Sequence, residues 1–373
     1  MIRPTVAVVS LEAMAANLRA IRRLLEERAD PPGLIAVVKA GAYGHGAVHV
    51  GRALEAAGAA MLACADIEEG VELRRGGVTI PILVFGAQSV SDLAGVFEHH
   101  LTPTISTPAA ATAIEAAAAA RGVRIGCHLK IDTGMNRLGF RHDNLGRTLP
   151  PVLASPHLSI EAVYTHFATA DDPESPMLET QRARFERATA ALGAMGLRGP
   201  RRHAANSAAL LRDTRTWYDW VRPGLLLYGV VPPPLSATNL DLGPALSLVS
   251  RIVAVKGVRS GEGTGYGLRW TAEGPRTLAV VPAGYADGLD TRLAGRASVL
   301  VRGRRAPIVG SVCMDMITID VTGLDVSPGD EVVLLGRQGD EVITAREVAA
   351  AIGAIPWEVL CRLGSRIERE YWG

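Results

Sequence analysis

Leu34-Ile35-Ala36-Val37-Val38-Lys39-Ala40-Gly41-Ala42-Tyr43-Gly44-His45-Gly46 reads as a buried β-strand that ends on a lysine. The apolar run 34–38 delivers Lys39 onto a loop filled mostly by glycine and alanine. A lysine at the end of a buried strand is costly to desolvate unless it has a partner or a task. Removed from water, its amine loses part of its proton affinity and becomes a nucleophile toward an aldehyde. The small neighbours leave room for a flat ring, and Tyr43 offers a phenol four residues on. The same lysine also reads as a strand-end residue snorkelling to solvent. This segment by itself leaves both readings open.

Working outward, the pattern repeats. Short apolar runs occupy 34–38, 60–65, 80–85, 101–105, 124–131, 160–164, 202–205 and 225–230. Between them lie helix-forming stretches such as 68–75, 108–120 and 177–192, with little β-branching. The alanine-rich stretch 109–120 reads as a surface helix without chemistry. Eight β-then-α units in some 200 residues predict a (β/α)8 TIM-like barrel, with an open doubly wound sheet as the competing architecture. The barrel demands its chemistry just past the C-terminal strand ends. Lys39 follows the first run, Lys130-Ile131-Asp132-Thr133-Gly134 the fifth, Thr165-His166-Phe167 the sixth and Asn206-Ser207 the seventh.

After Pro232-Pro233-Pro234 the texture changes. Segments 245–258, 277–283, 297–302, 307–313, 316–321 and 330–335 are short, β-branched and separated by Gly, Pro and Asp, with one helical stretch at 344–352. The expected organisation is a barrel domain over 1–240, its first few residues free to pair with the C-terminal part, and a mostly-β domain over 241–373. Gly243-Pro244 is a second candidate boundary.

The gross numbers narrow the class. The chain has 373 residues, 48% hydrophobic and 21% charged, which is ample core material. Its 39 basic against 38 acidic residues give no nucleic-acid footprint. Cys64, Cys127, Cys313 and Cys361 lie far apart, against a zinc site or disulfide scaffold. The N-terminus runs straight into a helical pattern at Leu11, Met14, Leu18, Ile21 and Leu25, without a leader-like apolar core. With no apolar run of membrane-spanning length, a soluble cytoplasmic protein is expected.

Three constellations carry chemistry. Asn206-Ser207 follows the expected seventh strand and Arg222-Pro223-Gly224-Leu225 precedes the expected eighth, near the loops where barrels commonly cradle phosphate. An ordinary helix cap at Asn206 is the plainer alternative. Together with Lys39 and Tyr43, the set suits a phosphorylated aldehyde, of which pyridoxal phosphate is the natural choice. A pyridine nitrogen facing Arg222 stays unprotonated, because a guanidinium donates and cannot accept. In His128-Leu129-Lys130-Ile131-Asp132, strand alternation puts His128, Lys130 and Asp132 on one face, where the charges are expected to neutralise one another. Arg137 is placed to fork onto a substrate carboxylate. His166 reads as ring-stacking or structural. Tyr266, between Gly265 and Gly267, and Tyr285, beside Gly284, read as turn punctuation or as site residues.

Taken together, these motifs resemble those of bacterial alanine racemases, fold-type III pyridoxal-phosphate enzymes, over essentially the full length. The resemblance rests on VVKAGAYGHG at 37–46, KIDTGMNRLGF at 130–140, YTHFATADD at 164–172, AANSAA at 204–209, VRPG at 221–224, GYG at 265–267, VPAGYADG at 281–288 and VGSVCMDM at 309–316. It implies interconversion of L- and D-alanine by two-base proton transfer, supplying D-alanine for peptidoglycan. Lys39 is implied to carry the cofactor and serve as one base. Tyr266 is implied to be the other, contributed by the C-terminal domain of the partner in a homodimer with shared active sites. The implied cofactor set is Lys39, Tyr43, His166, Asn206, Ser207, Arg222, Gly224, Leu225 and Trp357. The implied substrate set is Arg137, Met314, Asp315 and Tyr285. Lys130 matches a lysine often carbamylated in the family. No metal, nucleic acid or membrane partner is expected.

The chain departs from the family pattern where Trp357 stands for a tyrosine and where Thr291 and Ser311 stand for entrance arginines of some members. Competing readings are a racemase of broader or different specificity (serine, for example), an amino-acid decarboxylase and a non-catalytic pyridoxal-phosphate carrier. Arg222 speaks against the decarboxylase, and the β domain bearing Tyr266 against the carrier.

Overall fold

The structure, a computed structural model, describes residues 4–86, 88, 90–235 and 240–373. Among the described residues, eight parallel strands close a barrel: β1 (Gly33–Val37), β2 (Met61–Cys64), β3 (Ile82–Val84), β4 (Thr102–Ile105), β5 (Ile125–Asp132), β6 (Leu158–Tyr164), β7 (Arg201–His203) and β8 (Trp220–Val221). Each pairs with the next, and β8 returns to β1 through Trp220↔Gly33 and Val221↔Leu34. Strands covered on both faces need uninterrupted apolar runs, and β2 and β3 are buried at every position.

The outer helices follow from local signals. Thr107 caps Pro108–Ala120 by accepting from the Ala110 N–H, and Pro108 sits where its missing N–H costs nothing. That helix is not a bare surface element, since Ala110, Ala111, Ile114 and Ala118 are buried along one face. Burying Ile114 alone is worth roughly 1.5–3 kcal/mol.

The eighth strand differs from the sequence expectation. The apolar run at 225–230 is not a strand: Leu225–Tyr228 forms a 3-10 turn, buried throughout, and β8 is the shorter Trp220–Val221 before it. An apolar run without alternation cannot distinguish a buried strand from a buried helical turn. The shift places Arg222-Pro223-Gly224 just after β8 rather than before it.

Cα packing divides the chain into two compact units. One holds Met14–Ala42 and Ala47–Leu242; the other holds the N-terminal strand, Tyr43–Gly46 and Gly243–Gly373. In the second unit, nine strands run in the order Ala254–Val258, Arg276–Val281, Ile317–Asp320, Arg304–Val309, Ser298–Val301, Glu331–Gln338, Leu246–Arg251, Val6–Ser10 and Glu368–Trp372. The pairing of the first residues with the C-terminal part, left open by the sequence, is made by the strand Val6–Ser10. That strand pairs antiparallel with Leu246–Arg251 and parallel with Glu368–Trp372, partners far away along the chain. The stretch 245–258 is two strands, and 307–313 gives a strand only to Val309. A further short helix, Pro356–Cys361, follows Ala345–Ile352 and carries Trp357.

Candidate active site

Lys39 follows β1 and opens a turn, Lys39–Tyr43, wound in the left-handed sense. Ala40, Gly41, Ala42 and Tyr43 have φ of 55°, 60°, 54° and 52°. That conformation costs roughly 1–2 kcal/mol for each residue bearing a Cβ. It persists only where the surroundings over-determine it. Here the Ala42 N–H donates to the Val38 carbonyl at 2.8 Å, and the Ala40 N–H donates to the Glu69 carboxylate at 2.5 Å. Tyr43 is half-buried, and burial followed by the nearby Cys361 raises its phenol above the usual range. Gly44 has φ of 81°, and a Cβ there would lie 2.3 Å from the Leu360 carbonyl oxygen, so only glycine fits.

The rest of the barrel rim is cationic. Lys130 is 6% exposed and forms no ion pair among the described residues. Its ammonium lies 5.7 Å from the centre of the Tyr164 ring. Burial first, then the fields of Arg137 and Arg222, push its amine down to about 8. Asp132 opposes that shift only in part and forms no ion pair with Lys130 among the described residues. Oδ1 of Asp132 instead accepts from the N–H groups of Gly134, Met135 and Asn136 at 3.0, 3.0 and 3.1 Å, folding the loop that carries Arg137. A strand-end aspartate is better used on orphan loop N–H groups than on a lysine one pleat away. Gln181 ties this loop to the one after β6: Nε2 donates to Thr133 Oγ1 and to the His166 carbonyl, and Oε1 accepts from the Ala168 N–H.

Arg222 is 3% exposed and fully engaged at its terminal nitrogens. Nη2 donates to the carbonyls of Thr165 (2.7 Å) and Ala204 (3.0 Å) and to His166 Nδ1 (3.3 Å), and Nη1 donates to His203 Nδ1 (2.8 Å). None of these bonds uses Nε. His203 must therefore carry its proton on Nε2, which lies 3.1 Å from His128 Nδ1. Burial, with Arg222 beside them, holds His203 and His166 well below the imidazole range and takes His128 down to about 3. All three stay neutral near pH 7. Tyr164 stacks on His203 at 4.7 Å and His128 on Trp220 at 5.8 Å, so rings fill the barrel interior.

Asn206 is the helix cap of the plainer reading: Oδ1 accepts from the Ala209 N–H at 3.0 Å. Buried Ser207 accepts at Oγ from the N–H groups of Gly224 (3.0 Å) and Leu226 (3.5 Å). Its own O–H remains a donor. Leu225 opens the 3-10 turn between those two amides. These residues fit a phosphorylated pyridine: Lys39, Lys130, Arg137, His166 and Arg222 influence one another electrostatically, with the Asp132 carboxylate as the opposing charge on Lys130. A rim so charged calls for an anionic occupant.

In the second unit, Tyr266 stands between Gly265 and Gly267, both at φ of 73°, and is 80% exposed. Ser311 Oγ donates to its carbonyl at 2.7 Å. A Cβ at Gly265 would lie 2.9 Å from the Ser311 nitrogen, so Gly265 allows that approach. Met314 and Tyr285 are brought together: the N–H groups of Tyr285 and Ala286 donate to the carbonyls of Cys313 and Met314 at 2.9 and 3.0 Å. Arg366 bridges Asp315 at 2.7 Å and buried Asp287 at 3.4 Å, fixing both loops. Thr291 opens a short turn capped by Asp290, and half-buried Trp357 lies in the first turn of Pro356–Cys361. Sequence reasoning missed Glu69, Gln181, His203 and Arg366. Only Glu69 had a local signal, the Asp66-x-x-Glu69 spacing of a helix start.

Family models extend the picture to known proteins. The alanine racemase N-terminal domain model matches residues 9–232 and the alanine racemase C-terminal domain model residues 245–371. An alanine racemase of Symbiobacterium thermophilum is 42% identical over 372 residues, covering 100% of this chain and 98% of that one. One from Nostoc sp. is 40% identical over 365 residues, covering 97% and 94%. Among solved structures, alanine racemase from a D-cycloserine-producing Streptomyces lavendulae superposes with a TM-score of 0.94 at 36% identity, covering 100% and 97%. The Bacillus anthracis enzyme, solved with bound L-Ala-P, gives 0.91 at 36%, covering 100% and 95%.

Proposed function

Because the chain belongs to the alanine racemase family, we propose that it interconverts L- and D-alanine with pyridoxal phosphate, using Lys39 and Tyr266 as the two bases. When bound, the cofactor supplies the electron sink that makes the substrate Cα–H acidic. The work of this chain is to hold the parts and move one proton. Lys39 would link the cofactor and handle the proton on one face; the Tyr266 phenol would handle it on the other. Ser207, Tyr43 and the backbone at Gly224 and Leu225 would hold phosphate, with Asn206 and Trp357 beside them. Arg222, with Nε uncommitted and its other nitrogens anchored, would face the pyridine nitrogen and keep it unprotonated. His166 would flank the ring.

Arg137 would take the substrate carboxylate, with Met314, Asp315 and Tyr285 shaping the rest of the pocket. Lys130 suits carbamylation: with its amine lowered to about 8, roughly half of it is free at that pH, and a carbamate would set a negative charge beside Arg137. Added bicarbonate should raise its modification as pH climbs through that value, read by carbon-13 NMR.

A homodimer with shared sites belongs to the same reading. It is supported by the apolar surface of the second unit, where Tyr266, Leu268, Tyr285, Met314 and Met316 are all exposed. Patches of that kind on a folded domain mark a partner. A cytoplasmic role supplying D-alanine for peptidoglycan completes the proposal; no helix of the described residues is long and apolar enough to cross a membrane.

The observation that carries the reading is the full-length match at 42% identity with the cationic rim built around a strand-end lysine. The test is racemisation of alanine, serine and longer amino acids by the purified yellow protein, followed by chiral chromatography. Alanine turning over fastest supports it; no inversion of any amino acid would sink it. A second reading, broader specificity, is favoured by Thr291 and by Ser311, whose hydroxyl is turned onto the Tyr266 backbone.

A further inference from the structure

We infer that Glu69 is a positioning residue for Lys39, holding the left-handed turn in the conformation that aims the lysine. The inference rests on the reading of Lys39 as a base. Glu69 lies in the first turn of the helix Ile67–Arg75, where its own N–H donates to Asp66 Oδ1 at 3.0 Å. Its carboxylate reaches back over the helix start. Oε2 accepts from the Ala65 N–H at 2.7 Å and Oε1 from the Ala40 N–H at 2.5 Å.

Those two amides lie just beyond the last rungs between neighbouring strands. Val37 pairs with Ala63, and the Val38 N–H donates to the Ala63 carbonyl at 2.8 Å. The turn then diverts the Val38 carbonyl inward to the Ala42 N–H. Ala40 and Ala65 each stand two residues further on, and one carboxylate joins them across the gap. Glu69 thus does for the strand ends what a further rung would do, with two charge-assisted bonds in place of a neutral one.

The turn needs such a hold. Ala40, Ala42 and Tyr43 sit in a region disfavoured for residues with a Cβ, and without an acceptor the Ala40 N–H loses its tie to the barrel. Lys39 is the residue immediately before that amide. A shift of about 1 Å in a reacting group can cost on the order of 10²-fold in rate. An interaction that fixes geometry without contacting substrate should act on kcat rather than on KM.

The test compares full-length Glu69→Ala, Glu69→Gln and the neighbouring exposed control Glu68→Gln with the parent protein. Backbone hydrogen exchange over residues 38–43, measured without cofactor, reads the turn directly; steady-state racemisation reads the lysine. Glu69→Ala should exchange at least about tenfold faster there and lose on the order of 10²-fold in kcat, with KM within about threefold. Glu69→Gln keeps one acceptor and should fall between, at about a tenfold loss, which keeps the test alive if the alanine variant folds poorly. Glu68→Gln should match the parent. Adding Ala40→Gly to Glu69→Ala should recover about threefold in kcat, because glycine removes the left-handed penalty. Parent-like exchange and turnover in Glu69→Ala would overturn the inference, as would a loss of activity with parent-like exchange and no glycine rescue. If the parent protein itself does not racemise, the reading of Lys39 fails, while the exchange data still judge the brace.

Discussion

The two candidate bases are carried by opposite kinds of structure. Lys39 ends a barrel strand and opens a strained turn tied at both of its early amides, to Glu69 and to Val38. Tyr266 stands on an exposed loop between two glycines, with Ser311 donating to its carbonyl and no shelter for its ring. One base is held by its own domain. The other is presented outward, as the proposed shared site requires. The contrast teaches that the two groups proposed as bases are built differently: one is fixed by its own turn and the other is left to be fixed when the proposed site is assembled.

The largest effects should come from the bases themselves. Tyr266→Phe removes one proton carrier without touching the barrel and should lower kcat by roughly 10²–10⁴-fold while leaving cofactor binding intact. Absorbance of the bound cofactor and turnover, measured on the same sample, separate the two. Loss of the cofactor would mean Tyr266 belongs to the binding set.

Next comes the strained side. A Cβ at Gly41 meets nothing within 4 Å, so Gly41→Ala probes the backbone alone. It should destabilise the protein by about 1–2 kcal/mol, and Gly41→Asn by less, since asparagine tolerates the left-handed region. Denaturant midpoints check this. Equal stability for all three would show that the turn relaxes without cost.

Smaller effects are expected around the cofactor and the exposed loop. Trp357→Tyr exchanges an N–H donor for a phenol and should shift cofactor affinity or substrate ratio by roughly threefold to tenfold. An unchanged profile would place Trp357 outside the site. Ser311→Ala removes one bond to the Tyr266 carbonyl and should cost about two- to tenfold in kcat. The primary isotope effect should rise for one alanine enantiomer only, the one whose proton Tyr266 takes. A symmetric change would assign Ser311 to general stability.

The same contrast explains what could be read from the sequence. The barrel was legible because most of its strands are local apolar runs, and its polar rim because lysine, histidine and arginine sit where those runs stop. The eighth strand was misplaced because 225–230 is apolar throughout and buried as a turn, which leaves no alternation to read. The first residues were read as free to pair with the C-terminal part, but their partners, Leu246–Arg251 and Glu368–Trp372, could not be named because they lie hundreds of residues on. Asp132 was expected to neutralise Lys130; only the fold shows three loop amides competing for it. Glu69 and Arg366 act by joining backbone or carboxylates distant in sequence, which no single motif records.

The most direct test of the account mixes two inactive proteins, Lys39→Ala and Tyr266→Phe, under conditions of demonstrated subunit exchange. If the braced base and the exposed base meet across a two-fold dimer, half of the sites in each mixed dimer regain both groups. Activity should then return to about a quarter of the parent level in an equal mixture. If exchange is complete and no activity returns, the two bases do not work across copies, and the account of a site completed by the second chain is wrong.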